Sequence, residues 1–303
     1  MHTAIVTMIN NEGFFLPLWI SHYGNIEGAN LVIIDHGTTD GSTNKCQMSN
    51  VSYVNVPQSR PYSEMDRCNF VSDFCNSLRY YYDCVIFTDV DEFLVLDPNI
   101  EDDIITHIAK NGTKVIAPIG LNVVQLLGEE KTIDINKPVF EQRNYAYFDT
   151  TYCKPIITKQ SVKWRPGFHY CNQSSALDES IYLFHLRDFD LENSILRSET
   201  RVNSLLESGR SPETVFANSG YTGKRAIGLW GRPANSIRKK FDNYQSFERI
   251  EGPQFDFSKE PGMVKLSEII DESGTYKRMV REIGNKLHKI PSDFSRSITG
   301  LRG

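Results

Sequence analysis

The residues best placed for chemistry are the acids that close the run VIFTDVDEF, namely Asp89, Asp91 and Glu92. The apolar residues 85–87 before them are typical of a strand buried on both faces. Because side chains alternate along a strand, Asp89 and Asp91 are predicted to lie on one side of the backbone. Two carboxylates that share a ligand need a cation, and oxygen ligands suit Mg²⁺ or Mn²⁺ held together with substrate phosphates. The run is therefore interpreted as a metal–diphosphate site.

Acids after a strand are also common as solvated loop residues or helix caps. Here residues 93–96 resume an apolar run at once, so the acids interrupt a hydrophobic segment instead of ending it. Burying three carboxylates between apolar segments is costly without a counter-charge. This context favours the metal-site interpretation.

The elements that must position these acids alternate between strand and helix. Strands are predicted over residues 4–9, 29–34 and 51–56 besides the one before Asp89, and helices over 14–23 and 64–82. This alternation predicts an α/β fold with a mainly parallel, three-layer α/β/α sheet. Ligands of such sheets bind at the carboxyl ends of the strands, where Asn11, Glu12 and Asp35 also fall.

Composition and charge narrow the function classes. The chain has 303 residues, of which 40% are hydrophobic and 23% charged, as in ordinary soluble globular proteins. A net charge of −5 gives no support for a nucleic-acid partner. No stretch approaches the ~18 apolar residues of a membrane span. Residues 1–13 lack the features of a signal peptide, and the six cysteines form no C-x-x-C pair, so a cytoplasmic protein with reduced, buried thiols is predicted.

Three segments resemble the family 2-like glycosyltransferases of the GT-A fold. They are Asn11-Glu12 followed by FFLPLWISHYG, the run VIIDHGTTDGS, and TDVDEFLVLDP, and they follow one another within residues 1–97. The form DVDEF is most similar to the Glyco_tranf_2_4-type branch. The resemblance implies a GT-A catalytic domain over residues 1–190, with its nucleotide-sugar half at 1–97 and its acceptor half at 98–190. Residues 191–303 would form a helical C-terminal extension packed on it.

The activity implied by the resemblance is transfer of a sugar from a nucleotide diphosphate donor, with UDP favoured. The acceptor would be a saccharide or a lipid-linked glycan, as in surface polysaccharide synthesis by a hexosyltransferase. Mn²⁺ or Mg²⁺ would be the cofactor, because negative charge develops on the departing diphosphate oxygen.

The resemblance also implies residue roles. Asp35 would contact the base or ribose, Asp89 the ribose or the metal, and Asp91 would ligate the metal between the two phosphates. The further donor contacts it implies are Thr7, Asn11, Glu12 and Arg67.

A histidine farther along the chain often completes the metal shell of such enzymes, and His185 and His169 are the two candidates. His185 directly follows a short strand predicted over the apolar residues 181–184 and precedes Arg187, so this segment would supply a metal ligand and a phosphate partner together. Lys154 is a second predicted phosphate partner. Each histidine also has an ordinary interpretation as a structural residue.

No motif selects the catalytic base. The acids of the irregular middle region are candidates, and Asp149 is the prediction, because the aromatic residues around it could stack on a sugar ring. The other acids considered are Glu129, Glu130, Asp134 and Glu141.

Two other function classes stay open. A sugar-phosphate nucleotidyltransferase would use a similar acidic site, but it normally has a Gly-rich, Arg-containing loop after the first strand, where this chain reads MINNEG at residues 8–13. A non-catalytic glycan- or nucleotide-binding scaffold is disfavoured by the intact acidic triad.

Residues 276–290 are predicted to form a basic amphipathic helix. Its ordinary interpretation is a packed helix with a solvated face. The alternative is a weak peripheral hold on the anionic inner surface of a membrane.

Overall fold

Strands and helices alternate along the chain in the computed structural model, which describes residues 1–44, 48–57, 63–207, 231–257 and 285–298. The strands are β1 (Thr3–Ile9), β2 (Ala29–Asp35), β3 (Val51–Asn55), β4 (Cys84–Phe87), β5 (Glu92–Leu96), β6 (Val115–Val124), β7 (Tyr145–Phe148), β8 (Ile157–Thr158), β9 (Ala176–Asp188), β10 (Glu248–Ile250) and β11 (Lys286–Lys289). The helices are α1 (Phe15–Gly24), α2 (Glu64–Leu78), α3 (Ile104–Lys110), α4 (Leu191–Glu207) and α5 (Ala234–Tyr244).

The sheet is parallel where the acidic motif lies. Its order there is β3-β2-β1-β4, and every pair in this group is parallel, with Ile9 opposite Asp35 and Asp35 opposite Asn55. Beyond β4 the sheet becomes mixed, because β8 runs antiparallel to both β4 and β6. The carboxyl ends of β1, β2 and β4 thus meet along one edge, as the alternation of elements predicts.

Helices cover both faces of this sheet. On one face, Ile5 and Ile33 pack with Trp19 of α1, and on the other face Val6 and Val32 pack with α2. The alternation of consecutive strand residues between the two cores is the period-two pattern of a strand buried on both sides. The predicted α/β class and its three layers are therefore confirmed.

Two predicted boundaries near the site differ from the structure. The helix predicted over 64–82 ends at Leu78, and residues 79–81 form turns, with the Tyr81 N–H donating to the Leu78 carbonyl at 3.0 Å. The strand predicted over 181–184 is much longer, because β9 pairs with β5 on one side and with β6 on the other. His185 consequently lies inside a strand, with Glu92 and Asn122 as its register partners, and not beyond the strand end.

The C-terminal region contributes strands as well as the predicted helices. α4 and α5 are helical, but Lys286–Lys289 form strand β11, which pairs antiparallel with β7. The basic amphipathic helix predicted over 276–290 is therefore wrong at its C-terminal end, where sheet pairing overrides the helical pattern. Residues 276–284 lie outside the described part of the chain. No described helix is long and apolar enough to cross a membrane.

Cysteines in the described part of the chain are free thiols. All of them are buried, as predicted, and Cys46 lies outside the described residues. Burial raises the pKa of the Cys153 thiol to about 12, so this thiol stays protonated and unreactive at neutral pH. The buried cysteines are Cys68, Cys75, Cys84, Cys153 and Cys171.

Gly120 in β6 gives the sharpest packing prediction. A Cβ at this position would lie 2.4 Å from the carbonyl carbon of Tyr152 and 2.6 Å from its Cβ. Gly120→Ala must therefore move backbone, and we expect it to lower the free energy of unfolding by about 1–3 kcal/mol in urea titrations. Gly112→Ala is the matched control, since a Cβ there meets nothing within 4 Å. Equal stabilities of the two variants would contradict the close approach.

Candidate active site

Asp89 and Asp91 lie in the turn that joins β4 to β5. β4 ends at Phe87, so the strand alternation predicted for the two acids does not apply. The Glu92 N–H donates to the Asp89 carbonyl at 3.0 Å, and the Leu186 N–H donates to the Asp91 carbonyl at 2.9 Å. The turn thereby directs the two carboxylates to different partners.

Asp89 is held between two cations. Its Oδ1 accepts a hydrogen bond from Arg67 of α2, and its Oδ2 accepts one from Lys154 Nζ at 3.0 Å. Burial opposes ionisation, but Lys154 and Arg67 outweigh it and hold the pKa of Asp89 well below its usual range. Lys154 also lies 2.5 Å from Glu92 Oε1, and both side chains are almost fully buried. Basic side chains thus supply positive charge next to these acids, a role that the sequence analysis assigned to a divalent cation.

Asp91 faces a second pair of groups. Its Oδ2 accepts from Arg197 Nη1 of α4 at 2.6 Å and lies 3.7 Å from His185 Nε2. The other end of the Arg197 guanidinium donates to Glu12 Oε1 at 2.8 Å. Burial works against the charge of Asp91, but Arg197, together with His185 when that ring is protonated, keeps its pKa well below the usual carboxyl value. Arg197 therefore bridges the acidic turn to the end of β1.

The ring of His185 is oriented by its neighbours. Its Nδ1 lies 2.7 Å from Asn122 Oδ1, and an amide oxygen only accepts, so Nδ1 is the donor. In the neutral imidazole the lone pair is then on Nε2, which faces Asp91. The ring of Tyr152 stacks on the imidazole at 4.3 Å. A histidine fixed this way by a partner on its other nitrogen is typical of metal ligands.

Asn11 and Asp35, which are predicted to contact the nucleoside, lie at the carboxyl ends of β1 and β2. Asn11 has a left-handed backbone (φ 54°), and its Oδ1 accepts from the Thr39 N–H at 2.7 Å. Asp35 Oδ1 accepts from the Thr38 N–H at 2.8 Å. Both side chains order the loop after β2. Thr7 is fully buried beneath them, and its hydroxyl has no hydrogen-bond partner among the described residues.

Three further predicted residues surround the short 3₁₀ turn Thr150–Tyr152. Asp149 Oδ1 accepts from the Thr151 N–H at 2.9 Å and so caps this turn. His169 Nδ1 lies 2.5 Å from the Thr151 carbonyl oxygen. Burial alone would lower the pKa of Arg187, at the end of β9. The nearby Tyr152 and Asp188 outweigh this effect, so the pKa of Arg187 is raised. The roles predicted for these residues in catalysis, metal binding and phosphate binding stay predictions.

Asp91 and His185 present donor atoms that could hold a divalent cation, and the metal roles predicted for Asp89 and His169 stay predictions. Within the described residues there is no cluster of three or more His, Cys, Asp or Glu side chains with metal-binding geometry. A facing carboxylate and imidazole nevertheless fit a cation that takes one or two protein ligands and completes its shell with substrate phosphates and water. The residues present are thus compatible with Mn²⁺ or Mg²⁺ bound together with a diphosphate.

Three residues of the site escaped the sequence prediction. Asn122 had a detectable signal, because it is a polar residue inside the fully buried strand VIAPIGLNVV. Tyr152 was seen only as part of an aromatic cluster. Arg197 had no local signal, since it lies 106 residues from Asp91 in an unremarkable helix.

Comparisons with solved structures give partial matches. A mannosyltransferase from Pyrobaculum calidifontis, solved with GDP-Man and Mn²⁺, is 11% identical over 39% of this chain and 35% of its own, with a TM-score of 0.29. Glucosyl-3-phosphoglycerate synthase from Mycobacterium tuberculosis, solved with Mn²⁺, UDP and glucosyl-3-phosphoglycerate, is 16% identical over 39% of this chain and 43% of its own, with a TM-score of 0.28. An active-site mutant of LgtC is 12% identical over 38% of this chain and 46% of its own, with a TM-score of 0.27.

No family model and no curated protein matches the chain. The chain spans less than half the length of each solved structure named above. Because these matches are short and their TM-scores are low, an activity can be inferred only from the site's own residues.

His169 gives a pH prediction. Burial, with the nearby charge of Lys154, lowers the pKa of His169 from 6.5 to about 3. Between these values the unfolded chain binds more protons, so this residue's contribution to stability is lost as the pH falls below 6.5. We expect the free energy of unfolding to drop by roughly 1–2 kcal/mol from pH 6.5 to 5 through this residue.

In His169→Gln, this part of the drop in the free energy of unfolding between pH 6.5 and 5 should be absent. Urea titrations at the two pH values measure it. His2→Gln, which changes an exposed imidazole, is the control and should keep the wild-type slope. An unchanged slope in His169→Gln would contradict the assignment.

Proposed function

We propose that this protein is a metal-dependent glycosyltransferase of the GT-A type that uses a nucleotide diphosphate sugar. The observation that carries the proposal is the pairing of Asp91 with an oriented His185 at the carboxyl ends of the parallel strands. Glu12, Asp35 and Asp89 lie at the same sheet edge, which is where ligands of such sheets bind. The short partial matches described above carry no part of this proposal.

The chain's own residues would act as follows. Arg67 and Lys154 keep Asp89 ionised, and Asn122 keeps the lone pair of His185 directed at Asp91. A divalent cation bound there would supply Lewis-acid stabilisation of the charge that develops on the departing diphosphate. Asp35 is the proposed nucleoside contact, and Asp149 is the proposed general base toward the acceptor.

The finer assignments rest on the sequence resemblance. They are membership of the Glyco_tranf_2_4-type branch, a UDP-sugar donor, hexosyl transfer to a saccharide or lipid-linked glycan, and a role in surface polysaccharide synthesis. A cytoplasmic location and weak peripheral membrane contact do not follow from the resemblance, and the membrane contact is proposed from the basic residues of segment 276–290. The helix proposed for that contact lies mostly outside the described residues.

The loop after β1 favours this function over a nucleotidyltransferase. A nucleotidyltransferase loop cradles triphosphate with its backbone N–H groups. Here the Gly13 N–H donates to Asp40 Oδ2 at 3.1 Å, and the Asn11 N–H donates to Thr38 Oγ1 at 3.3 Å. These donors are engaged by the loop after β2, which supports the transferase.

Nucleotide binding tests the proposal directly. Calorimetric titration of UDP, GDP, CDP and TDP, with and without Mn²⁺, should reveal one diphosphate that binds only with the metal. Asp91→Asn keeps the shape of the side chain and removes its charge, so we expect at least about a tenfold loss of this affinity. Asp73→Asn removes one charge from the exposed face of α2 and is the matched control. A folded wild-type protein that binds no nucleotide would refute the proposal.

Asn122 offers a test that does not depend on turnover. Asn122→Leu removes the acceptor that fixes the His185 ring, and loss of such a partner typically weakens metal affinity about 10–100-fold. Manganese binding followed by electron paramagnetic resonance should show this loss.

Asn76→Leu is the control for this test. Asn76 is a comparable amide on α2: its Nδ2 donates to the Val162 carbonyl at 2.9 Å, and its Oδ1 accepts from the Val162 N–H at 3.0 Å. This variant should lose stability and keep its manganese affinity. Equal affinities in the two variants would show that Asn122 does not position a metal ligand.

A further inference from the structure

Two groups face the same oxygen of Asp91. Arg197 Nη1 donates to Asp91 Oδ2 at 2.6 Å, and His185 Nε2 lies 3.7 Å from this oxygen. The lone pair of the neutral imidazole is on Nε2, because Nδ1 donates to Asn122 Oδ1 at 2.7 Å. The oxygen that would bind a cation together with His185 is therefore the oxygen that Arg197 holds.

A divalent cation and the Arg197 guanidinium compete for this oxygen. Mg²⁺ binds oxygen at about 2.1 Å, so one small cation can contact two donor atoms that are up to about 4 Å apart. The 3.7 Å between Asp91 Oδ2 and His185 Nε2 is within this limit. A cation bound to both would lie next to the guanidinium, and two positive charges repel each other strongly in a buried site. Binding of the cation therefore requires Arg197 to move away from Asp91 Oδ2.

Arg197 is anchored, and part of its anchor does not depend on Asp91. Arg197 Nη2 donates to Glu12 Oε1 at 2.8 Å, and the guanidinium carbon lies 4.5 Å from the centre of the Phe15 ring. Burial alone would lower the pKa of Arg197, but Glu12 and Asp91 outweigh this effect and raise it, so the guanidinium stays charged. Glu12 and Phe15 would keep Arg197 beside the acidic turn after it has left Asp91.

One N–H of Arg197 is not used by the part of the chain that the structure describes. The Nε atom is buried and makes no hydrogen bond to a described residue. If Nη1 leaves Asp91, both Nε and Nη1 have an N–H to donate. Guanidinium groups bind phosphate oxygens through several such donors at once. Arg197 can thus exchange a carboxylate for a diphosphate without losing hydrogen bonds.

We propose that Arg197 withholds Asp91 Oδ2 from a divalent cation until a diphosphate accepts the guanidinium. The proposal rests on the transferase function above and concerns how the two ligands of that function bind. A cation alone breaks the ion pair of Arg197 with Asp91 and gives the guanidinium no new acceptor. A cation that binds with a diphosphate replaces this pair by one between Arg197 and phosphate oxygens. Metal and nucleotide therefore raise each other's affinity, by the same factor.

Burial explains why Asp91 needs such an exchange. Asp91 is 6% exposed, and a buried carboxylate without a positive partner is costly. Arg197 is its partner before the two ligands bind, and the cation is its partner afterwards. The guanidinium passes from one anion to another at the same time. No buried charge is left unpaired, so the acidic turn stays folded throughout.

Manganese titrations of the full chain without nucleotide, followed by electron paramagnetic resonance, test the competition at Asp91. Arg197→Met removes the charge and keeps an apolar side chain next to Phe15. We expect this variant to bind Mn²⁺ at least about fivefold more tightly than the wild type, which is the lower end of typical coupling between two sites. Loss of an arginine would thus increase the affinity for a metal.

Arg201→Met is the matched control. Arg201 lies one helical turn farther along α4, 4.0 Å from Glu12 Oε1. Its side chain is 37% exposed, so solvent screens its charge, and we expect its removal to change the Mn²⁺ affinity by about twofold or less. An equal gain in both variants would reduce the effect to general repulsion between positive charges and would overturn the proposal.

A second titration series adds saturating UDP, with GDP in a parallel series, to measure the coupling. In the wild type the diphosphate should raise the Mn²⁺ affinity. In Arg197→Met this increase should be at least about fivefold smaller, because the metal no longer has to displace the guanidinium. An increase of the same size in both proteins would show that Arg197 takes no part in the exchange.

The remaining outcomes also decide the proposal. A Mn²⁺ affinity of Arg197→Met equal to or below that of the wild type overturns it. Should this variant not fold, a crystal structure of the wild type with Mn²⁺ and UDP replaces it. We expect Arg197 Nη1 beyond hydrogen-bond distance from Asp91 Oδ2 there, and a retained hydrogen bond would overturn the proposal.

Failure of the transferase function gives a different result. A folded protein that binds neither UDP nor GDP refutes that function, and with it the transfer of the guanidinium to a diphosphate. Tighter Mn²⁺ binding by Arg197→Met in the same protein would leave only the competition at Asp91.

Discussion

Two buried carboxylates, Asp91 and Glu92, and the partly buried Asp89 lie within four consecutive residues where β4 turns into β5, and most of the site follows from that constraint. An unpaired buried charge costs several kcal/mol, so each acid needs a cation within reach. Lys154 forms ion pairs with both Asp89 and Glu92. Arg67 also pairs with Asp89, and Arg197 pairs with Asp91. These cations come from α2, from the segment before β8 and from α4. Charge compensation at one turn thereby ties distant parts of the chain to the same sheet edge.

The mixed half of the sheet provides the other side of the site. β9 lies between β5 and β6, and this pairing places His185 level with Glu92 and Asn122. The close contact of Gly120 with Tyr152 brings the 150–152 turn against β6, and the Tyr152 ring covers the imidazole. The parallel half thus supplies the acids, and the mixed half supplies the group that faces them.

Sequence reasoning worked where the signal is local. The buried strands, α1 and the start of α2 follow from hydrophobic runs, and Ser63 caps α2 by accepting from the Asp66 N–H at 3.2 Å. The acidic residues at the ends of β2 and β4 could likewise be predicted, because each follows an apolar run. The extent of β9 and the strand β11 were not, because both depend on pairing with partners far along the chain.

The same distinction separates the parts of the site. His185 could be proposed from its place after an apolar run, although the run continues as strand through it. Arg197 could not, because nothing in its helix indicates a partner 106 residues away. Donor and acceptor roles depend on ligands and remain proposals.

The long span between Asp91 and Arg197 has a consequence for biosynthesis. A ribosome adding about 5–20 residues per second needs roughly 5–20 s to cover the 106 residues that separate them. During that interval the nascent N-terminal half carries its acidic turn without the guanidinium that later bridges it to Glu12. The first half of the sheet can therefore collapse early, but its active edge closes only after α4 has left the exit tunnel. Closure of this edge therefore waits until late in translation, and truncated chains that end before α4 should expose it to the quality-control machinery of the cell.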